Sequence, residues 1–171
     1  MSKLCIGLFG TCGDSTWRQD LFIPQYESRG MVDGVDFFNP QVDDWKPELA
    51  DIEADHLATD AIICFPVLSE TYGLGSLAET GFSIAQALKW EVRRDIIVLV
   101  DPDVNEALKE ADEKLAKESL KARKLVRSHM GQLKAAGVFW VESLEHMLHI
   151  SLNCFNAKRD LANMRRSFCV G

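Results

Sequence analysis

The residue that most invites a chemical role is Glu79, in the stretch Glu70-Thr71-Tyr72-Gly73-Leu74-Gly75-Ser76-Leu77-Ala78-Glu79-Thr80-Gly81. A helix is expected from about Ser76 to Trp90. Leu77, Ala78, Phe82, Ile84, Ala85, Ala87 and Leu88 make it apolar nearly all round, with Glu79 in its first turn. A carboxylate in so apolar a surface is costly unless it has partners or a purpose, and the chemistry it offers is nucleophilic attack or stabilisation of positive charge. The competing structural reading is a first-turn acid favoured by the helix dipole.

Two other stretches carry ligand-binding chemistry. Gly10-Thr11-Cys12-Gly13-Asp14-Ser15-Thr16-Trp17-Arg18 follows an apolar run and opens a helix. Its glycines allow close backbone approach, its hydroxyls can donate, and a helix N-terminus favours an anion or an electron-rich oxygen. It is neither a Walker loop nor a dinucleotide fingerprint. Phe38-Asn39-Pro40-Gln41-Val42-Asp43-Asp44-Trp45 brings together an amide, two carboxylates and an indole. Carboxylates suit sugar hydroxyls and aromatic faces suit sugars or bases, although turn formation by Asn39, Asp43 and Asp44 is the plainer alternative.

Short apolar runs and helical stretches alternate throughout, as in repeated βα units. Strands are expected at Leu4–Phe9, Gly34–Phe38, Ala61–Phe65, Asp95–Val100 and Val138–Val141. Pro66 is expected to end sheet pairing of the most hydrophobic strand. Helices are expected at about 16–29, capped by Ser15 or Thr16; from Pro47 to Thr59; over 76–90; over 104–136 as a mostly solvated helix interrupted at Gly131; and from Ser143 as cap to about Met164. The chain thus reads as an α/β protein, a single domain over 1–171. Its frame is a doubly wound (Rossmann-like or flavodoxin-like) five-stranded parallel sheet with helices on both faces. In such sheets ligands bind beyond the carboxyl ends of the strands, where strand order reverses, and all three loops fall there.

Composition narrows the partners. The 171 residues are 47% hydrophobic and 26% charged, with a net charge of −7, so there is no basic footprint for nucleic acid. Apolar runs at 61–68 and 96–100 are far shorter than the ~20 residues of a membrane span, and the N-terminus lacks a cleavage pattern. Five cysteines (Cys5, Cys12, Cys64, Cys154, Cys169) form no Cys-x-x-Cys pair, which fits a reducing cytoplasm better than a disulfide framework. His56, His129, His146 and His149 have no metal-ligand spacing with the cysteines. No metal and no cofactor are expected. Cys12 lies near a helix N-terminus but has no histidine beside it in sequence.

The strand Asp60-Ala61-Ile62-Ile63, a glycine-bearing loop, Gly73-Leu74-Gly75-Ser76-Leu77-Ala78-Glu79-Thr80-Gly81 and the following Ile-Ile-Val-Leu-Val strand resemble the core of nucleoside 2-deoxyribosyltransferases. The loops at 10–18 and 38–45 are similar to the first and second loops of a transferase-like branch of that superfamily, so the likeness spans about residues 3–103. It implies that Glu79 attacks the anomeric carbon of a 2-deoxynucleoside and releases the base, forming and then breaking a glycosyl ester. It also implies substrate contacts from Gly10, Thr11, Cys12, Gly13, Asp14, Ser15, Thr16, Trp17 and Arg18, from Asn39, Pro40, Asp43, Asp44 and Trp45, and from Tyr72, Gly73, Gly75 and Ser76. The chain departs from the family where an aspartate precedes the Gly-x-Gly turn, since Thr71 and Tyr72 stand there. Glu70 is one substitute for the acid that protonates the base, and Asp51 and Asp55 are shifted candidates for the family's other aspartate. Transfer to a second base is the expected outcome. Hydrolysis of a nucleoside 5′-monophosphate, with Arg18 on the phosphate, and non-catalytic nucleotide sensing are the alternatives. A symmetric homo-oligomer is expected, because a helix apolar nearly all round must bury its outer face.

Overall fold

The computed structural model describes residues 3–42, 46–89, 94–133 and 135–168. Five parallel strands, β1 (Lys3–Leu8), β2 (Phe37–Phe38), β3 (Asp60–Val67), β4 (Asp95–Val100) and β5 (Val138–Trp140), form one sheet in the order β2-β1-β3-β4-β5. This is the doubly wound order, and the sequence reverses direction between β1 and β3, where a crevice must open. β3 is buried at all eight positions and β4 at five of six, which is why both read as unbroken apolar runs.

Alternate residues of the strands feed two cores. On one face Ile6, Leu8, Ile62, Cys64, Ile97 and Leu99 meet α1 (Ile23–Glu27) and α6 (Leu144–Phe168) through Tyr26, Met147, Leu148 and Phe155. Trp17, Phe22, Tyr26 and Phe37 make successive ring contacts there, and the Tyr26 hydroxyl meets Ser151 Oγ at 2.7 Å. On the other face Ile63, Phe65, Val67, Ile96, Val98 and Val100 pack against α2 (Pro47–Thr59), α3 (Leu74–Lys89) and α5 (Glu113–Met130) through Leu57, Leu77, Ile84, Val126 and Met130. Each fully buried aliphatic or aromatic side chain contributes about 1.5–3 kcal/mol.

Several local expectations are corrected. The first helix begins as a π-helical turn, Arg18–Phe22, and Trp17 precedes it without any side-chain cap. Thr16 Oγ1 instead bonds Asp20 Oδ2 at 2.5 Å, and Ser15 Oγ is buried with no partner among the described residues. Pro66 does not end β3, which stays paired with β4 through Pro66↔Leu99 and Val67↔Val100. Its carbonyl accepts from Thr11 N, so its ring nitrogen faces the β1 side, beyond the end of β1, where no ladder donor is required. The stretch 104–136 is broken at Asp112, which ends α4 (Glu106–Ala111) and caps α5 by accepting from Leu115 N at 2.9 Å. α5 is mostly solvated, as expected, and buries Ala116, Ser119, Arg123 and Met130 on its inner side. Pro47 at the start of α2 and Ser143, whose Oγ accepts from His146 N at 3.1 Å, behave as expected. Among the described residues no helix is long and apolar enough to cross a membrane.

Candidate active site

A cavity of about 670 Å³ lies at the reversal point. One wall is the loop after β1, with Phe9, Gly10, Cys12, Gly13 and Asp14. Another is the segment after β2, with Pro40, Gln41 and Val42. α2 supplies Ala50, Glu53, Ala54 and Leu57, and α3 supplies Glu79.

The first wall is held in place by buried polar groups. Gly10 has φ 94°, and a Cβ on it would collide with the Pro66 carbonyl oxygen, so only glycine allows this approach. Thr11 N donates to Pro66 O at 2.8 Å, and Thr11 Oγ1 accepts from Leu68 N at 2.8 Å. The loops after β1 and β3 are thereby latched together. Arg18 is fully buried. Its Nε donates to Leu8 O at 2.8 Å, Nη1 to Thr11 O at 2.7 Å and Gln41 Oε1 at 3.1 Å, and Nη2 to Cys12 Sγ at 3.4 Å. Burial pulls its pKa down, against an opposing pull from Cys12. The expected phosphate contact is therefore corrected: Arg18 is committed to the loop because the ends of β1 and its loop expose carbonyls that need a donor. Gln41 Nε2 extends the bracing by donating to Gly13 O at 2.7 Å.

The loop after β3 is organised by Arg123, a residue the sequence reading passed over as solvated. It too is fully buried. Its five donor contacts go to Ser119 Oγ and to the carbonyls of Val67, Asp101, Leu68 and Thr71, at 2.6–3.2 Å. Gly73, at φ 66°, lies close to the Arg123 guanidinium, and Tyr72 is turned away, its hydroxyl donating to Leu108 O at 2.8 Å.

This arrangement sets the start of α3 at Leu74, earlier than expected, so Glu79 sits in the second turn and not the first. The helix dipole is thus a poor reason for its presence. Glu79 is open to solvent, yet the cavity walls and the nearby Glu53 raise its carboxyl above the ordinary range, desolvation being the larger cause.

Of the expected site residues, Gly10, Cys12, Gly13, Asp14, Pro40 and Glu79 line this cavity. Thr11, Ser15, Trp17 and Arg18 are buried as scaffold; Thr16 is occupied with Asp20, and Asn39 Oδ1 caps its own turn by accepting from Gln41 N at 3.1 Å. Tyr72, Gly73, Gly75 and Ser76 shape the entry to α3 and are not among the lining residues, and exposed Glu70, Asp51 and Asp55 also lie off the cavity. Asp43, Asp44 and Trp45 fall outside the described residues. Glu53 was missed. Its signal was the spacing 50, 53, 54, 57, one helical stripe of Ala, Glu, Ala and Leu, with the acid lying between the two aspartates considered. In comparisons with known proteins, no family model and no curated sequence matches this chain.

Proposed function

We propose that the protein cleaves the N-glycosidic bond of a nucleoside and transfers the (deoxy)ribosyl group to another base. The observation that carries this reading is that Glu53 and Glu79 line one cavity at the sheet's reversal point and that Glu53 helps raise the Glu79 carboxyl. Above its raised pKa Glu79 is the anion. Its carboxylate attacks the anomeric carbon, the C–N electron pair leaves with the base, and the base takes up a proton from solvent. An acceptor base then attacks the same carbon, the ester bond breaks, and the acceptor's proton leaves to solvent. The cavity fits a nucleoside, within the ordinary 300–1,000 Å³ of small-molecule sites.

Among the described residues the lining includes three acids, Asp14, Glu53 and Glu79, and neither Lys nor Arg. With Arg18 committed elsewhere, this favours an uncharged nucleoside over its 5′-monophosphate. A symmetric oligomer in a reducing cytoplasm belongs to the same proposal, because α3 exposes Leu74, Ala78 and Ala85. Light scattering that finds only a 19.2 kDa species removes that part. Incubating the protein with nucleosides and monophosphates, with and without free base, tests the chemistry by chromatography. Base exchange on a nucleoside is the expected result. Free sugar regardless of acceptor makes the protein a hydrolase, and ligand binding without cleavage across the panel overturns the enzymatic reading in favour of a sensor.

A further inference from the structure

A second cluster of reactive side chains lies on another part of the fold, near the amino ends of β1 and β3. Cys5 from β1, His56 from the last turn of α2 and Asp60 at the start of β3 each offer one metal-ligating atom, and these atoms all lie within 4.8 Å of one another. The chain positions them deliberately. Between the pairs Lys3↔Asp60 and Ile6↔Ile62 the β1 register shifts by one residue. Such an irregularity re-aims side chains and is rare between parallel strands. The His56 ring is fixed face to face on Phe38, centroids 3.7 Å apart and planes within 4°, and its Nδ1 is 3.0 Å from Asp60 Oδ1. Arg94 locks the joint between α2 and β3, Nε donating to Asp60 O at 2.7 Å and Nη2 to Leu57 O at 2.6 Å.

We propose that Cys5, His56 and Asp60 form a binding site for one divalent cation of the zinc class, held by sulfur, nitrogen and carboxylate oxygen. A solvent molecule completes the tetrahedron. The charges support this assignment: a thiolate, a carboxylate and a neutral imidazole cancel a 2+ ion, leaving a neutral unit in a region where Asp60 is fully buried and an uncompensated charge is expensive. The distances support it as well. Ligand bonds of about 2.0–2.3 Å put tetrahedral ligand atoms roughly 3.3–3.7 Å apart, so the His56–Asp60 pair must open by only a few tenths of an ångström and the sulfur close by up to roughly 1 Å. Binding replaces the thiol S–H with an S–metal bond, and the proton leaves to solvent. His56, with 10% of its side chain exposed, marks the way in. Since His56 follows Glu53 by three residues on α2, the ion would anchor the helix that forms one cavity wall.

The test uses the full chain stripped with a chelator and titrated with Co²⁺ and with Zn²⁺. One Co²⁺ per chain with a sulfur-to-metal charge-transfer band and the visible bands of a tetrahedral ion is expected, displaced by Zn²⁺ and absent in Cys5→Ser. At a hundredfold excess over Kd, Zn²⁺ should raise the wild-type Tm by roughly 5–10 °C. Absence of the sulfur band in the wild type, or an unchanged band in Cys5→Ser, overturns the assignment. So does a wild-type Tm indifferent to saturating Zn²⁺, which needs no variant to fold and leaves the cluster as a hydrogen-bonded strut.

Discussion

Glu53 on α2 and Glu79 on α3 line the same cavity, and the charge of the first raises the pKa of the second. The two helices flank β3, so the pair exists only because the sheet reverses direction where it does. Removing one acid must then retune the other. In Glu53→Gln the Glu79 carboxyl falls back toward the ordinary range, and the acid limb of the rate profile moves to lower pH. An unshifted acid limb in kcat/KM against pH separates Glu53 from the chemistry.

Glu79→Gln should fold, bind nucleoside and lose at least ~10³ in turnover, equivalent to ~4 kcal/mol of transition-state stabilisation. Trapping with a 2-fluoro-2-deoxy nucleoside and mass spectrometry should place the sugar ester on the peptide containing Glu79. Near wild-type turnover in the variant ends the nucleophile assignment.

The same substitution should stabilise the fold. Because the folded-state pKa of Glu79 is raised, its favourable contribution is complete at pH below the unfolded value and is lost as pH climbs through the folded one. Glu79→Gln therefore gains over wild type at neutral pH and loses that gain in acid. For so open a group the gain is at most about 1 kcal/mol. Urea denaturation across pH reads the difference, and a variant equally stable with wild type at every pH refutes the cause assigned to the shift.

Arg18→Met leaves the carbonyls of Leu8 and Thr11 buried without that donor and should cost roughly 3 kcal/mol of stability. Lysine should not rescue it, because one ammonium cannot reproduce the planar fork. Affinity for a nucleoside and for its monophosphate should fall together. A loss confined to the phosphorylated ligand, measured by calorimetry, would put a phosphate contact back on Arg18.

What was legible in advance follows the physics of each residue. β3 and β4 announced themselves because strands buried on both faces carry no charged position after their opening aspartates, and β4 occupies the expected 95–100. Glu79 was legible as a misfit among apolar neighbours. Its true partner was not: Glu53 lies between Asp51 and Asp55, three acids of one helix, and only the angle of α2 against the sheet decides which enters the cavity. Arg123 hid for a related reason. In a stretch of Glu, Lys and Arg its burial depends on carbonyls of residues 67–71 and 101, more than twenty positions away. Cys5, His56 and Asp60 lacked recognisable metal spacing because the sheet, and not local sequence, brings them together.

The bonds from Thr11 to Pro66 and Leu68 carry a mechanical consequence. The cavity wall formed by the loop after β1 and the loop after β3 behind it are one rigid jaw, backed on either side by a buried arginine. Any widening of the cavity must then come from the opposite jaw, the segment after β2 and α2. In hydrogen exchange, the amides of Thr11 and Leu68 should open as a single slow event, while those around Gln41 and Val42 exchange ahead of them.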